Sequence, residues 1–435
     1  MKKIDFSILF KILISFFSIL FFLFISIREK NIFLIIPLPI IFLLILLKEK
    51  FKDDIYFLIF LFFYGFFSRL FYYLTSGYPY NLFFIVPFLY TLYFFKEIYI
   101  SLKDLTKDLK SFYIVHTLII FYMILLPFKL NLLDSFVLLN YYFLPLFVLL
   151  DFKNFNKRID KILYILFPII VIFALLQYFN LYIFFDSFYV KNVSFYQYTS
   201  LKLGSYNRPF SIFSSVEEFS SFLVLAFLIF LIRKNKRSFL YSIVSFILIL
   251  VFSFRSAFFV SIIIFFLFLL YEKKYKTFLI FFLFLLMLVI FSTFFIKTDT
   301  TIYKNDNRFT TILKHNIEPF VRNFETYSLK NRINKIKNDL GNLKRKPFGQ
   351  GLYLSSKVLD KNLDKNKYET TFFNLLFSGG IIFFLYFLFS IFILFRRKNI
   401  FAILYILFFI FSNLYNFHLV LPLLIKIIVE DYYGY

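Results

Sequence analysis

Cysteine and tryptophan are absent from this 435-residue chain, and histidine occurs only three times. Without cysteine there is no disulfide framework, no zinc–thiolate site and no thiol nucleophile, and the redox character of the compartment leaves no trace. Acidic side chains are scarce as well: 25 Asp and Glu stand against 49 Lys and Arg, a formal net charge of +24. In a soluble protein that imbalance would point to nucleic acid. Here it does not, because 61% of the chain is hydrophobic, against about 45–50% in an ordinary soluble domain. Phe alone occurs 77 times and Tyr 33 times. A soluble fold is excluded, and the positive charge has to be located relative to lipid.

Phe6 to Ile27 is apolar apart from Lys11 and a few serines, follows Lys2 and Lys3, and is not followed by a small-residue cleavage site. It reads as a retained first span, not a removable signal peptide. Runs near the roughly 17–25 residues needed to cross a bilayer core follow at Asn31–Leu47, Ile55–Leu74, Ser111–Phe128, Ile162–Phe179, Pro209–Ile232, Thr277–Phe295, Thr371–Phe395 and Ile400–Phe417. Shorter runs at Asn81–Phe95, Phe136–Leu150, Phe239–Phe254 and Ser256–Tyr271 are required as spans for the chain to cross back, and His418–Val429 is a further candidate. The predicted fold is an all-α polytopic membrane protein of about 13–14 transmembrane helices, since an open chain in lipid must satisfy its backbone within each segment.

Basic residues in short loops orient such a protein. Counting from a cytoplasmic N-terminus, Lys48–Lys52, Lys96–Lys110, Lys153–Lys161, Arg233–Arg237, Lys273–Lys276 and Arg396–Lys398 all fall on one side, whereas Thr75–Tyr80 on the other carries no charge. The organisation reads as an N-terminal bundle over 1–208 with an outer polar and aromatic loop at 180–208, central helices over 209–296, a large extracytoplasmic loop over 297–368, and C-terminal helices over 369–435. The large loop holds 16 Lys and Arg against 7 Asp and Glu, which long loops tolerate without changing the orientation. Within it Leu329, Ile333, Ile336, Leu340 and Leu343 share one helical face. That face would lie on the membrane or cap a cavity; the other reading is a solvated basic loop. No internal repeat is evident.

Ionisable groups inside spans are costly and therefore informative. Ser211, Ser214, Glu217, Glu218 and Ser221 recur at helical spacing in Pro209–Ile232. A helix starting at Pro209 would carry the two glutamates on the order of 12 Å past its outer end, in a hydrated or cation-lined pocket. A later helix start would leave both in water. Arg208 precedes this helix, Arg255 sits at an outer turn, and Arg69 lies near the outer end of its own span. Several guanidiniums at one depth point to an anion, because Arg offers a planar fork to phosphate oxygens; a single one would snorkel to headgroups. Thr370, Thr371, Asn374 and Ser378 form a polar stripe leading to Gly379-Gly380, which permits close helix packing. His116 reads as a packing residue, His315 as a solvated loop residue or a base, and His418 receives no role. Neither Asp53-Asp54 nor Glu430-Asp431 has partners at metal-ligand spacing, so no metal site is assigned.

Three segments carry a family resemblance: Arg208-Pro209-Phe210-Ser211-Ile212-Phe213 with Glu217-Glu218-Phe219, Phe252-Ser253-Phe254-Arg255-Ser256-Ala257, and Arg332 followed by Lys346-Pro347-Phe348-Gly349-Gln350-Gly351. A large loop then leads into Glu369-Thr370-Thr371. From Arg208 to Gly380 the chain resembles the O-antigen ligase and O-antigen polymerase superfamily of glycan-assembly proteins. The resemblance implies an inverting, metal-independent glycosyltransferase without cofactor in the cytoplasmic membrane, acting at its outer face on an undecaprenyl-diphosphate-linked oligosaccharide. It implies membrane lipid and a chain-length regulator as partners and no nucleic acid. Carried over by position, Arg208 and Arg255 would hold the diphosphate, with Arg332 a further candidate; from the residue pattern itself Arg69 joins them, and Glu369, Glu217 and Glu218 are candidate bases for the acceptor hydroxyl. Ligases place a His just before the helix after the large loop, where this chain reads Tyr368-Glu369-Thr370. That departure favours a polymerase of repeat units over a ligase. A polymerase pattern of Arg with Gly eleven residues later is also missing, so the subfamily stays open. A lipid-linked oligosaccharide flippase is the non-enzymatic alternative, against which stand the absence of two related halves and the clustering of polar residues at one face.

Overall fold

In the computed structural model, the described residues are 6–76, 85–104, 155–192, 202–203, 206–213, 216–233, 235–252, 255–276 and 371–396, with short pieces between 110 and 122, between 279 and 287 and between 344 and 349. The spans expected at Phe136–Leu150, Ile400–Phe417 and His418–Val429, and the amphipathic face from Leu329 to Leu343, lie outside them, as do His116, His315 and His418.

The described chain is helical apart from one small β pair. Helix α1 (Phe6–Arg28) is followed by a 3₁₀ turn (Ile32–Ile35) and α2 (Pro37–Phe51). Then come α3 (Ile55–Phe62), α4 (Tyr64–Leu74), α5 (Ile85–Tyr93), α6 (Phe95–Asp104), α7 (Phe155–Tyr178) and α8 (Phe184–Asn192). Strands β1 (Lys202–Leu203) and β2 (Tyr206–Asn207) pair antiparallel, Lys202 opposite Asn207. Helices α9 (Val216–Ile232), α10 (Lys236–Phe252), α11 (Arg255–Tyr271) and α12 (Thr371–Arg396) complete the set. Among the described residues, three stretches are long and apolar enough to cross a membrane, Leu9–Arg28, Ile32–Phe51 and Arg158–Tyr178, and the bent pair Ile55–Phe62 and Tyr64–Leu74 makes a fourth if counted as one span. Glu218–Ile232, Ala257–Leu270 and Gly379–Phe389 are apolar but shorter.

Aromatic rings knit these helices together, as expected where lipid removes any hydrophobic drive between them and contact itself must supply the energy. Phe57 stacks on Tyr90 between α3 and α5 at 3.9 Å, Phe62 meets Phe222 edge-on between α3 and α9 at 6.0 Å, and Phe66 meets Phe185 between α4 and α8 at 4.9 Å. Helix α9 is the most enclosed element, with Phe219 through Ile232 all buried against α10 and α11. Helix α1 is the opposite: Phe16, Phe17 and Phe24 are more than half exposed, the surface a lipid-facing helix presents.

Five departures from the sequence reading stand out. The span expected at Ile55–Leu74 is two helices bent by 62° at Phe63; Gly65 and Ser68, whose hydroxyl binds the Gly65 carbonyl at 2.8 Å, supply the usual ingredients of a kink. The chain expected to be a basic loop from Lys96 is helical as far as Asp104, and the expected outer loop at 180–208 contains α8 and the β pair. Thr371–Phe395 is helical but broken at Gly380, where φ is +58°. The helix expected from Pro209 starts only at Val216.

Helix α7 carries Pro168, which has no N–H to offer the Tyr164 carbonyl one turn back. Arg237 from the start of α10 supplies the missing donor at 3.0 Å and lies over the Tyr164 ring. The same helix connects two polar ends. Arg233 pairs with Asp160 near its start, and Gln177 lies near its finish, about 26 Å further along the axis at about 1.5 Å per residue. That separation is close to the thickness of a bilayer core, about 30 Å.

Candidate functional site

The residues from Arg208 to Phe213 form a non-helical turn that two buried side chains hold in place. Ser211 has φ +54°, a left-handed conformation that a non-glycine residue adopts only when its surroundings impose it. Gln177, at the end of α7, imposes it with all four of its hydrogen-bonding positions. Its carbonyl accepts from Phe210 N–H at 2.9 Å and Ser211 N–H at 2.7 Å, while its amide donates to the Ser211 carbonyl at 3.0 Å and to Asp186 at 3.1 Å. Arg69, on α4, closes the other side. Its Nε donates to Asp186 Oδ1 at 2.7 Å, Nη2 to the Ser211 carbonyl at 3.0 Å and Nη1 to the Phe213 carbonyl. Its guanidinium also lies over the Phe210 ring, 4.6 Å from the centroid. The Ser211 hydroxyl donates to the Ile170 carbonyl at 2.7 Å.

This is why the helix starts late. The Ser211 and Phe213 carbonyls that a helix from Pro209 would use already accept from Gln177 and Arg69, and Ser211 is left-handed, so helical pairing begins at Val216. The serines and glutamates therefore do not form one stripe. Ser211 lies ahead of the helix, and Glu217 and Glu218 fall in its first turn, where the positive end of the helix dipole favours a carboxylate. Glu218 is 3% exposed, so the late helix start does not leave it in water. Arg208, opening the turn, is 7% exposed.

Arg69 has a different place from the one the sequence assigned. Both it and Asp186 are 1% exposed, and its guanidinium is taken up by protein acceptors. It braces the turn that carries Arg208 and Phe210 instead of opening to a ligand. The bend at Phe63 and the packing of α4 on α8 bring it there; Tyr72 and Tyr73 of α4 interleave with Phe184, Phe188 and Tyr189 of α8. Helices α9 and α10 form a hairpin, so the chain returns at Phe252 to the end where α9 begins, and α11 starts there with Arg255 and packs on α9. Arg208, Glu217, Glu218 and Arg255 are thus brought to one end of the bundle. Arg332 and Glu369 lie outside the described residues.

A second assembly joins two sequence motifs. Pro347, Phe348 and Gly349 sit in the break of α12: the Pro347 carbonyl accepts from Ile381 N–H at 2.8 Å, and the Phe348 carbonyl accepts from the Tyr122 hydroxyl at 2.8 Å. A Cβ on Gly380 would overlap the Pro347 carbonyl and the Gly349 nitrogen. The glycine expected to permit helix packing instead admits the turn from the Lys346–Gly351 motif.

Gln177 and Asp186 went unnoticed in the sequence, although each is a lone polar residue in an apolar or aromatic run, which is the available signal. No family model, curated protein or solved structure matches the chain.

Proposed function

We propose that this chain is a multi-pass membrane glycosyltransferase of thirteen or fourteen spans that polymerises lipid-diphosphate-linked oligosaccharide repeat units at the outer face of the cytoplasmic membrane, with its N-terminus in the cytoplasm and a large extracytoplasmic loop over 297–368. One observation carries the reading: two ionisable residues, Arg208 and Glu218, are buried on a turn and helix start that Arg69 and Gln177 hold rigidly. Enclosed charges at the end of an apolar helix mark function by default. In this reading Arg208, Arg255 and Arg332 neutralise the departing diphosphate, a preorganised stabilisation worth several kcal/mol in a water-poor site. Glu369, Glu217 or Glu218 takes the proton of the acceptor hydroxyl. The new C1–O bond forms on the face opposite the breaking C1–O–P bond, whose electron pair leaves with the diphosphate, so the anomeric centre inverts. Arg69 acts as a positioning residue, and the Pro347–Gly349 turn in the break of α12 tethers the end of the large loop near the helix that Glu369 precedes.

The test is surface glycan in a deletion strain complemented with Arg208→Ala, Arg255→Ala or Glu369→Gln. Glycans collapse to single repeat units while lipid-linked precursor accumulates outside. Normal long chains in all three variants at normal abundance overturn the site; precursor trapped inside identifies a flippase.

A further inference from the structure

At the end of the bundle opposite Arg69 lies a cavity of about 260 Å³ whose walls contain four cations, three carboxylates and one aromatic ring. Its floor is built and satisfied. Lys48, at the end of α2, is buried with its ammonium 3.0 Å from Asp54, 2.8 Å from Glu97 and 4.2 Å from the centre of the Phe94 ring. Tyr90 donates to Asp54 at 2.8 Å. The rim is different in kind. Glu49 and Glu97 remain nearly half exposed, and Lys11 bonds Glu49 at 3.0 Å while partly open to solvent. Arg158 bonds Asp53 at 2.9 Å. Lys52 follows α2 in a left-handed conformation, is exposed, and has no charged partner among the described residues.

Charges of both signs at the rim select the ligand. A dianion would confront Glu49 and Glu97, and a bare cation would confront Lys11, Lys52 and Arg158. A zwitterion that joins a phosphodiester to a primary ammonium meets both demands with charge-assisted hydrogen bonds. The surroundings select the source. Leu46, Phe51 and Phe95, on the helices whose ends form the cavity, are strongly exposed, so acyl chains can lie beside a headgroup held there. Basic pockets at the ends of membrane helices are established sites for lipid phosphates.

We propose that this cavity binds an aminophospholipid headgroup of the phosphatidylethanolamine type, with the ammonium on Glu49 and Glu97 and the phosphodiester on Lys52 and Arg158. The full chain is reconstituted in nanodiscs of phosphatidylcholine doped with equal mole fractions of phosphatidylethanolamine or phosphatidylglycerol, and retained lipid is counted by native mass spectrometry beside thermal unfolding. Phosphatidylethanolamine is retained in preference to both others and raises the unfolding temperature. Lys52→Asn keeps the left-handed backbone, which Asn tolerates, and lowers that retention by about tenfold, the loss of one charge-assisted hydrogen bond. Glu49→Gln removes the preference over phosphatidylglycerol. Equal retention of the three lipids, or unchanged retention in both variants, overturns the proposal. Displacement of the lipid by soluble glycerophosphoethanolamine at equal concentration also overturns it, and reassigns the cavity to a soluble phosphoamine.

Discussion

Replacing Arg69 by Met tests how the turn at 208–213 is held. The substitution keeps the apolar stem and removes a cation that is 1% exposed, leaving Asp186, also 1% exposed, with only the Gln177 amide at 3.1 Å. Breaking a buried pair from one side costs about 3–5 kcal/mol, because the surviving charge stays desolvated. The carbonyl of Phe213 also loses its Arg69 donor, whereas that of Ser211 keeps Gln177, so the loss belongs toward the upper part of that range. Arg69→Met/Asp186→Leu removes the stranded charge along with the pair and should recover much of the stability, as apolar replacements of buried ion pairs do. Unfolding by titration with a denaturing detergent, followed by circular dichroism on the wild type, Arg69→Met, Asp186→Leu and the double variant, gives the free energies and their coupling. On the proposed polymerase reading, Arg69→Met should lose long chains in a membrane assay of glycan length, and the double variant should regain abundance without regaining them, since the turn still lacks its brace. A single-variant cost below about 1 kcal/mol, or a double variant no better than Arg69→Met, would sink the argument that burial sets the energy of this pair.

Gly380→Ala should expel the Pro347–Gly349 turn, since Ala at φ +58° and ψ −143° adds about 1–3 kcal/mol of strain and its Cβ overlaps the Pro347 carbonyl. The chain contains no cysteine, so Phe348→Cys is a unique thiol; its maleimide labelling should accelerate in the Gly380→Ala background, and an unchanged rate refutes the docking. Arg237→Ala should cost about 0.5–1.5 kcal/mol by removing the donor to the Tyr164 carbonyl in an exposed bond, and Pro168→Ala combined with it should relieve most of that loss by restoring the N–H; equal destabilisation with and without Pro168 would show that the carbonyl is not the cause. Lys48→Met should destabilise by about 3 kcal/mol, the low end for a buried pair because Tyr90 still bonds Asp54, and Asp54→Asn in the same chain should offset part of it; a fully additive double variant contradicts the pairing.

Composition and hydropathy settled the class of this protein, because a chain that is 61% hydrophobic with apolar runs of bilayer length can satisfy its backbone only as helices in lipid. Helices α1, α2 and α7 follow directly from that pattern, as their lengths are a property of local sequence. Arg208 and Glu218 were legible as candidates because any ionisable residue in such a run stands out. What the chain itself could not reveal is where its polar atoms find partners. Arg69 is 117 residues from Asp186 and 142 from Ser211, and no periodicity reports a bond across that distance. The late start of α9, the break of α12 around Pro347 and the pairing of Lys48 with Glu97 all depend on which distant carbonyl or carboxylate arrives alongside. Tertiary packing decided them, because hydrogen bonds in a medium without water are made only where the fold brings donor and acceptor together.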